Sequence, residues 1–216
     1  MRILGPNSIG LVNLSNSVTA SFANIVDLKP VYPMTLGFVT QSGAFGTFVF
    51  AKAVQAGVGF SASVSVGNEA DTEFSDFISY LLTTPDTKVV GGYLEGARNG
   101  RKLRQAAQEA LRLRKPILIM KVGATRAGAR AASSHTGSLA GDDLVYDAFF
   151  RQMGIIRIET LEELTSFVTV HRSGRLPAGN NVAILSMSGG AGVMMADKCE
   201  RLGMHVPEFK GETLRL

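Results

Sequence analysis

Between Thr35 and His171 five short apolar runs alternate with segments of helical periodicity, and this alternation limits the possible folds more than any other feature of the chain. The runs are Leu36 to Thr40, Ser61 to Val66, Lys88 to Leu94, Ile117 to Met120 and Ile155 to Ile158. They read as runs apolar on both faces, which is the pattern of strands covered from both sides. Between them the spacing predicts amphipathic helices. Ala44 to Gln55 ends at Gly57, and Thr72 to Leu82 carries Phe74, Phe77, Ile78 and Leu81 at helical spacing behind a capping Asp71. Asn99 to Arg114 buries Leu103, Ala106, Ala107, Ala110 and Leu111. A fourth helix, capped by Asp142 or Asp143, ends at Gly154, and Leu161 to Val170 closes the series. Strand and helix alternating in this way build an α/β domain, flavodoxin-like or Rossmann-like, with a mostly parallel sheet and helices on both faces.

The flanks follow a different pattern. The first residues, MRILGPNSIGLVN, are short apolar pieces broken by a turn, followed by a polar Ser- and Asn-rich stretch to about Asp27, and cannot build a core alone. At the other end, Arg172 to Asn180 reads as a Gly- and Pro-bearing linker. After it, Val182 to Ser186 is strand-like, Ser188-Gly189-Gly190-Ala191-Gly192 is a glycine turn, and Val193 to Leu202 is helical. This repeats the plan of Leu36 to Ala56, so two related α/β units are expected, the second cut short.

Composition excludes several classes. One cysteine cannot form an internal disulfide, and there is no Cys/His pair at zinc spacing, so no metal site is expected and a cytoplasmic setting is. No apolar run approaches the roughly 20 residues of a membrane span, and the N-terminus lacks the apolar core of a signal peptide. The net charge of +4 comes largely from Arg98 to Arg130, where Arg101, Lys102, Arg104, Arg112, Arg114 and Lys115 decorate one helix without interleaved aromatics. That is a solvated helix face rather than a nucleic-acid surface.

Ligands of such sheets bind beyond the carboxyl ends of the strands, and three features fall there. In Thr40-Gln41-Ser42-Gly43-Ala44-Phe45-Gly46 a strand turns into a helix, so N–H groups and the helix dipole at Ser42 and Gly43 suit a phosphate or carboxylate. A tight turn that Ser42 merely caps is the alternative. No Lys follows the glycines as in a P-loop, and Gly-x-Gly-x-x-Gly spacing is absent. His135 lies in the small, polar segment Ser133 to Gly141, where an imidazole can accept a phosphoryl group or act as acid and base; a solvent-facing loop histidine is the plainer alternative. Glu95 directly follows a strand, placed either to orient a histidine nitrogen or to cap a surface helix. Acceptor, orienter and anion cradle together would make a phosphohistidine site. His171 and His205 have no neighbouring partner in sequence.

The phrases TQSGAFG, SVGNEADTEFSDFISYL, YLEG and SHTGSLAG, the last followed by DDLVYDAFFRQMGIIRIETLEEL, resemble in this order the α portion of the nucleoside-diphosphate-forming acyl-CoA synthetases. This group includes ADP-forming acetyl-CoA synthetase and is related to succinyl-CoA ligase. The resemblance implies interconversion of acyl-CoA, phosphate and ADP with free acid, CoA and ATP, by way of an acyl phosphate and a phosphorylated histidine. It puts that histidine at His135 and its supporting glutamate at Glu95. The phosphate-cradling helix start falls at Ser42 and Gly43, with Thr136 and Gly137 beside the histidine, and Asn7 of GPNSIGLVN lies toward the CoA end. It further implies, for the complete enzyme, CoA and ATP or ADP with magnesium, and an ATP-grasp domain or β subunit as partner.

On the same resemblance, residues 1–29 would be the tail of a CoA-binding Rossmann-like domain with a linker. Residues 30–172 would be a succinyl-CoA-ligase-like flavodoxin domain, and 173–216 a linker and the truncated start of a second. The expectation is a component of an acid–thiol ligase that is incomplete alone. The alternative is a non-catalytic regulatory or subunit-interaction module, in which a partner subunit or a second copy of the chain covers the open edges.

Overall fold

Seven strands form one sheet in the computed structural model, which describes residues 1–211 apart from Leu28, Arg126, Ala129 and residues 131–141. The strands are β1 (Gly10–Asn13), β2 (Val18–Ser21), β3 (Met34–Thr40), β4 (Gly59–Ser65), β5 (Val89–Leu94), β6 (Ile117–Lys121) and β7 (Ile156–Ile158). The described helices are α1 (Gly43–Gln55), α2 (Phe74–Thr83), α3 (Gly100–Leu113), α4 (Asp143–Met153), α5 (Leu161–Arg172) and α6 (Gly189–Arg201). The chain divides into two compact units, Met1–Gly174 and Arg175–Leu216.

Across the first unit the strand order is β2-β1-β4-β3-β5-β6-β7. From β4 to β7 every pairing is parallel, and the order β4-β3-β5-β6-β7 is the doubly wound arrangement of flavodoxin-like sheets. All five expected strands are present, each within a residue or two of its expected bounds. Alternate residues feed two separate cores. Leu36 and Phe38 of β3 join Val49, Phe50 and Ala53 of α1 and Leu164 and Val168 of α5 on one face. Val39 joins Phe74, Ile78 and Leu81 of α2, Leu103 and Ala106 of α3 and Phe150 of α4 on the other. Each large side chain so buried contributes roughly 1.5–3 kcal/mol. Phe50 and Phe60 stack at 4.2 Å between centroids, a geometry worth a further ~0.5–1.5 kcal/mol.

The hairpin β1–β2 was not foreseen, because its strands are short and half polar. It exists by pairing. β1 runs antiparallel to β4, with Leu11 opposite Val64 and Asn13 opposite Ala62, and Val12 is buried beneath it. The N-terminal residues therefore share this sheet. The start of α2 also differs from expectation. Asp71 accepts a hydrogen bond from the Ile3 N–H (2.7 Å) and pairs with Arg2 instead of capping. The helix begins at Phe74, whose N–H donates to Glu69 Oε1 at 2.8 Å. Leu111, expected inside, is 59% exposed. On α3, Lys102 reaches Glu73 and Asp76 and Arg112 pairs with Glu109, as a solvated helix face would.

In the second unit α6 forms as expected, but Val182 to Ser186 is not a strand. A single bridge joins Asn181 to His205, and an isolated extended segment without a neighbouring ladder has nothing to pair with. The turn and helix nevertheless repeat those of the first unit at a constant offset of 146 residues. Thr40 Oγ1 donates to Ser42 O and accepts from the Ser42 N–H; Ser186 Oγ does the same with Ser188. Ser42 Oγ accepts from the Phe45 N–H and Ser188 Oγ from that of Ala191, both at 3.4 Å. Gly57 and Gly203 end the two helices at φ +77° and +74°.

Two expectations follow. A Cβ added at Gly92 would lie 2.5 Å from Cζ of the buried Phe74 ring, so Gly92→Ala should destabilise the fold by about 1–3 kcal/mol in urea titration. Glu69 is only 3% exposed, and burial raises its carboxyl above the ordinary 4.5 despite the Phe74 and Gln41 hydrogen bonds and Arg98. The folded chain then holds this proton more tightly than the unfolded one. Its contribution is fully present below 4.5 and is lost as pH rises through the elevated folded value. Glu69→Gln should therefore flatten the decline of stability above that pH, measured as melting temperature against pH relative to the parent chain.

Candidate functional site

The sheet changes direction of growth at β3: the chain goes from β3 to β4 on one side, then crosses back to β5 on the other. The crevice between the carboxyl ends of β3 and β5 is thus the topological switch point, where ligands of such sheets bind. Gln41-Ser42 leaves β3 there and Glu95-Gly96-Ala97 leaves β5.

Ser42 is the N-cap of α1, with extended backbone and its hydroxyl oxygen accepting from the Phe45 N–H. Its capping role is therefore real. It leaves the N–H groups of Gly43 and Ala44 without an acceptor among the described residues. These two donors sit at the positive end of a 13-residue helix, the usual setting for an anion. The close packing behind them requires glycine. A Cβ on Gly43 would stand 2.7 Å from Ile9 Cγ2, and one on Gly46 would stand 2.4 Å from Thr40 Cγ2.

Glu95 is buried, at 7% exposure, which removes the surface-cap alternative. The backbone around it is held by side chains. Gln41 Oε1 accepts from the N–H groups of both Glu95 (2.6 Å) and Gly96 (3.1 Å). Gln41 Nε2 donates to Gly96 O (2.8 Å) and to Glu69 Oε1 (3.1 Å). The next N–H, on Ala97, donates to the Tyr146 hydroxyl at 2.8 Å. Three successive main-chain donors after β5 are thereby occupied, so among the described residues of β3, β5 and the turns that follow them the main-chain donors left without an acceptor are those at the start of α1.

Positive charge stands close by. Lys121, at the end of β6 and in register with Leu94, is 6% exposed. Its ammonium lies 4.6 Å from the Tyr146 ring centroid and donates to Val122 O. Burial pushes its pKa down, Asp143 and Glu95 oppose that shift, and Arg157 adds to it. Tyr93 is pushed up by burial and by the charge of Glu95. Beside the crevice an open groove of about 620 Å³ runs between α1 and α5, with the Phe45 and Tyr93 rings 4.4 Å apart and tilted by 36° in its wall.

Asn7 lies on the rim. Its side-chain amide donates to Asn68 Oδ1 (3.2 Å), and the adjoining chain is tied to the loop after β4 by Asn68 N–H to Pro6 O and Ala70 N–H to Gly5 O. The structure thus brings Ser42, Gly43 and Glu95 to one crevice, with Asn7 at its border. His135, Thr136 and Gly137 lie outside the described residues. Gln41, Glu69, Lys121 and Tyr146 were not foreseen. Gln41 and Glu69 stand inside the phrases TQSG and GNEA, but only the sheet order reveals that these phrases meet. Among the described residues no group of three or more His, Cys, Asp or Glu side chains forms a cation cage, and no helix is long and apolar enough to cross a membrane.

Known proteins resemble this chain in sequence and fold. Residues 33–171 match the succinyl-CoA ligase like flavodoxin domain family. The chain is 41% identical over 215 residues to acetate–CoA ligase (ADP-forming) I of Archaeoglobus fulgidus, covering 100% of this chain and 30% of that protein. It is 36% identical over 214 residues to acetate–CoA ligase (ADP-forming) II subunit alpha of Pyrococcus furiosus, covering 99% of this chain and 45% of the subunit. Among solved structures, the dinucleotide-forming acetyl-coenzyme A synthetase 1 of Ca. Korarchaeum cryptofilum, in complex with phosphate and ADP, superposes with a TM-score of 0.87 at 33% identity, covering 100% of this chain and 46% of that one. The chain spans less than half the length of these relatives. Doubly wound sheet, switch-point crevice and sequence agree: this chain belongs to the succinyl-CoA ligase-like flavodoxin domain family, in the form found in ADP-forming acyl-CoA synthetases.

Proposed function

We propose that the chain is the phosphoryl-carrying part of an ADP-forming acid–CoA ligase, acting through an acyl phosphate and a phosphorylated His135. The observation that carries the reading is the juxtaposition, at one switch point, of a buried carboxylate, Glu95, with a helix start that offers two open N–H groups. Support also comes from the relatives, named as ADP-forming acetate–CoA ligases, and from the homologous structure named as holding phosphate and ADP.

In the proposed sequence a phosphate oxygen attacks the thioester carbonyl, and the C–S bond breaks to give acyl phosphate and CoA thiolate, which takes up a proton. One imidazole nitrogen of His135 then attacks phosphorus, and the P–O bond to the acyl group breaks, releasing the free carboxylate. Glu95 accepts the N–H of the other ring nitrogen, which fixes the tautomer and stabilises the cationic ring. The Gly43 and Ala44 N–H groups, with the α1 dipole, hold the phosphoryl oxygens as charge builds. A terminal oxygen of ADP takes the phosphoryl group in the last step, giving ATP and neutral imidazole. Thr136 and Gly137 belong to the phosphoryl site in this reading, and Asn7 to its CoA side.

CoA, the nucleotide and its magnesium are assigned to the complete assembly, with an ATP-grasp domain or β subunit as the partner that exchanges phosphoryl groups with His135. Residues 1–29 are then the end of a CoA-binding domain, 30–172 the flavodoxin domain, and 173–216 the start of another.

With its ATP-grasp partner and ATP labelled in the γ-phosphate, the chain should acquire an acid-labile, base-stable label. His135→Asn should abolish it, and Glu95→Gln should slow labelling by about 10²-fold or more. Equal labelling of the His135→Asn chain would rule the phosphohistidine out.

A further inference from the structure

We infer that Gln41 is a positioning residue, which aims the Glu95 carboxylate by fixing the peptide that follows it; the inference rests on the phosphohistidine reading above. Four hydrogen bonds use the two ends of its side-chain amide. Oε1 takes the N–H groups of Glu95 and Gly96, and Nε2 gives its hydrogens to Gly96 O and Glu69 Oε1. The orientation is forced, because the Glu95 and Gly96 N–H groups can only donate and Gly96 O can only accept. Since Gly96 is bonded through both its N–H and its C=O, its peptide groups cannot rotate without breaking contacts, and the direction of the preceding Cα–Cβ bond is set with them.

The internal repeat separates this role from building the turn. At the offset of 146 residues the counterpart of Gln41 is Met187, which is fully exposed, yet its turn keeps the Ser186–Ser188 hydroxyl staple and the cap of α6. The α1 cap backbone, φ −106° and ψ 115°, is matched by −106° and 116° in the second unit. A strand-to-helix turn of this geometry forms without glutamine. What glutamine adds is the connection to the end of β5.

Two variants test this in the chain assembled with its ATP-grasp partner, read as the initial rate of phosphoryl labelling from labelled ATP. Gln41→Met, the residue of the repeat, should lower the rate by roughly 10- to 100-fold, the cost of misplacing a reacting group. Gln41→Glu keeps an oxygen for the Glu95 and Gly96 N–H groups but turns its other oxygen toward two acceptors, Gly96 O and Glu69 Oε1. One proton shared with Glu69 restores one of those two hydrogen bonds and removes the repulsion between the carboxylates. The Glu73 carboxylate favours holding the proton there and Arg98 disfavours it. The rate of Gln41→Glu relative to the parent chain should therefore climb as pH is lowered across the range in which the parent chain labels.

A labelling rate of Gln41→Met equal to the parent's, or a pH-independent ratio for Gln41→Glu, overturns the inference. Should Gln41→Met fail to fold, the pH series decides alone. Glu95→Gln and His135→Asn run alongside. If both label normally, the phosphohistidine reading itself has failed; if both lose label while the Gln41 variants keep it, only the role of Gln41 has.

Discussion

A parallel sheet buried on both faces gives no water to the main-chain groups its strands stop pairing at their carboxyl ends, so each must find another partner or face a ligand. Most of this site follows from how that demand is met. Thr40 and Ser42 satisfy the turn after β3 with their hydroxyls. Gln41 and Tyr146 absorb the three donors after β5. Among the described residues the Gly43 and Ala44 N–H groups are left without an acceptor at the start of α1. These two donors are therefore what remains, among the described residues, once the turn after β3 and the three N–H groups after β5 are satisfied.

The same accounting explains why carboxylates are tolerated in the crevice. Glu69 is buried at φ +54°, a conformation disfavoured for its side chain, but it accepts from Phe74 and Gln41 and faces Arg98. Lys121 balances the charge around Glu95 from the next strand, with the Tyr146 ring over its ammonium. Charge of both signs is thus gathered at the switch-point crevice, where each sign offsets the cost of burying the other.

Much of this was legible in the sequence. Five strands and their helices follow from apolar periodicity, because two-sided burial leaves a pattern that does not depend on which element packs on which. That Ser42, Gly43 and Glu95 meet at one edge of the sheet was legible because the carboxyl ends of parallel strands lie together. The hairpin β1–β2 was not, since its stability resides in the ladder to β4 rather than in its own residues. Val182 to Ser186 shows the converse: a strand-like composition without a ladder to join. Gln41 was passed over as part of a turn because its partners are 54 and 55 residues away, at Glu95 and Gly96.

The direction of β1 carries a last consequence. Because the core strands are parallel, their carboxyl ends share one edge, and an antiparallel neighbour must present its amino end there. The segment Ile3 to Ile9 is delivered to the rim in this way, where Ile9 abuts Gly43 and Pro6 O accepts from the Asn68 N–H. A β1 of parallel sense would have carried the same residues to the opposite end of the sheet. Chain polarity alone thus makes the amino-terminal segment one wall of the crevice, hydrogen-bonded to the loop after β4 and packed through Ile9 on the start of α1.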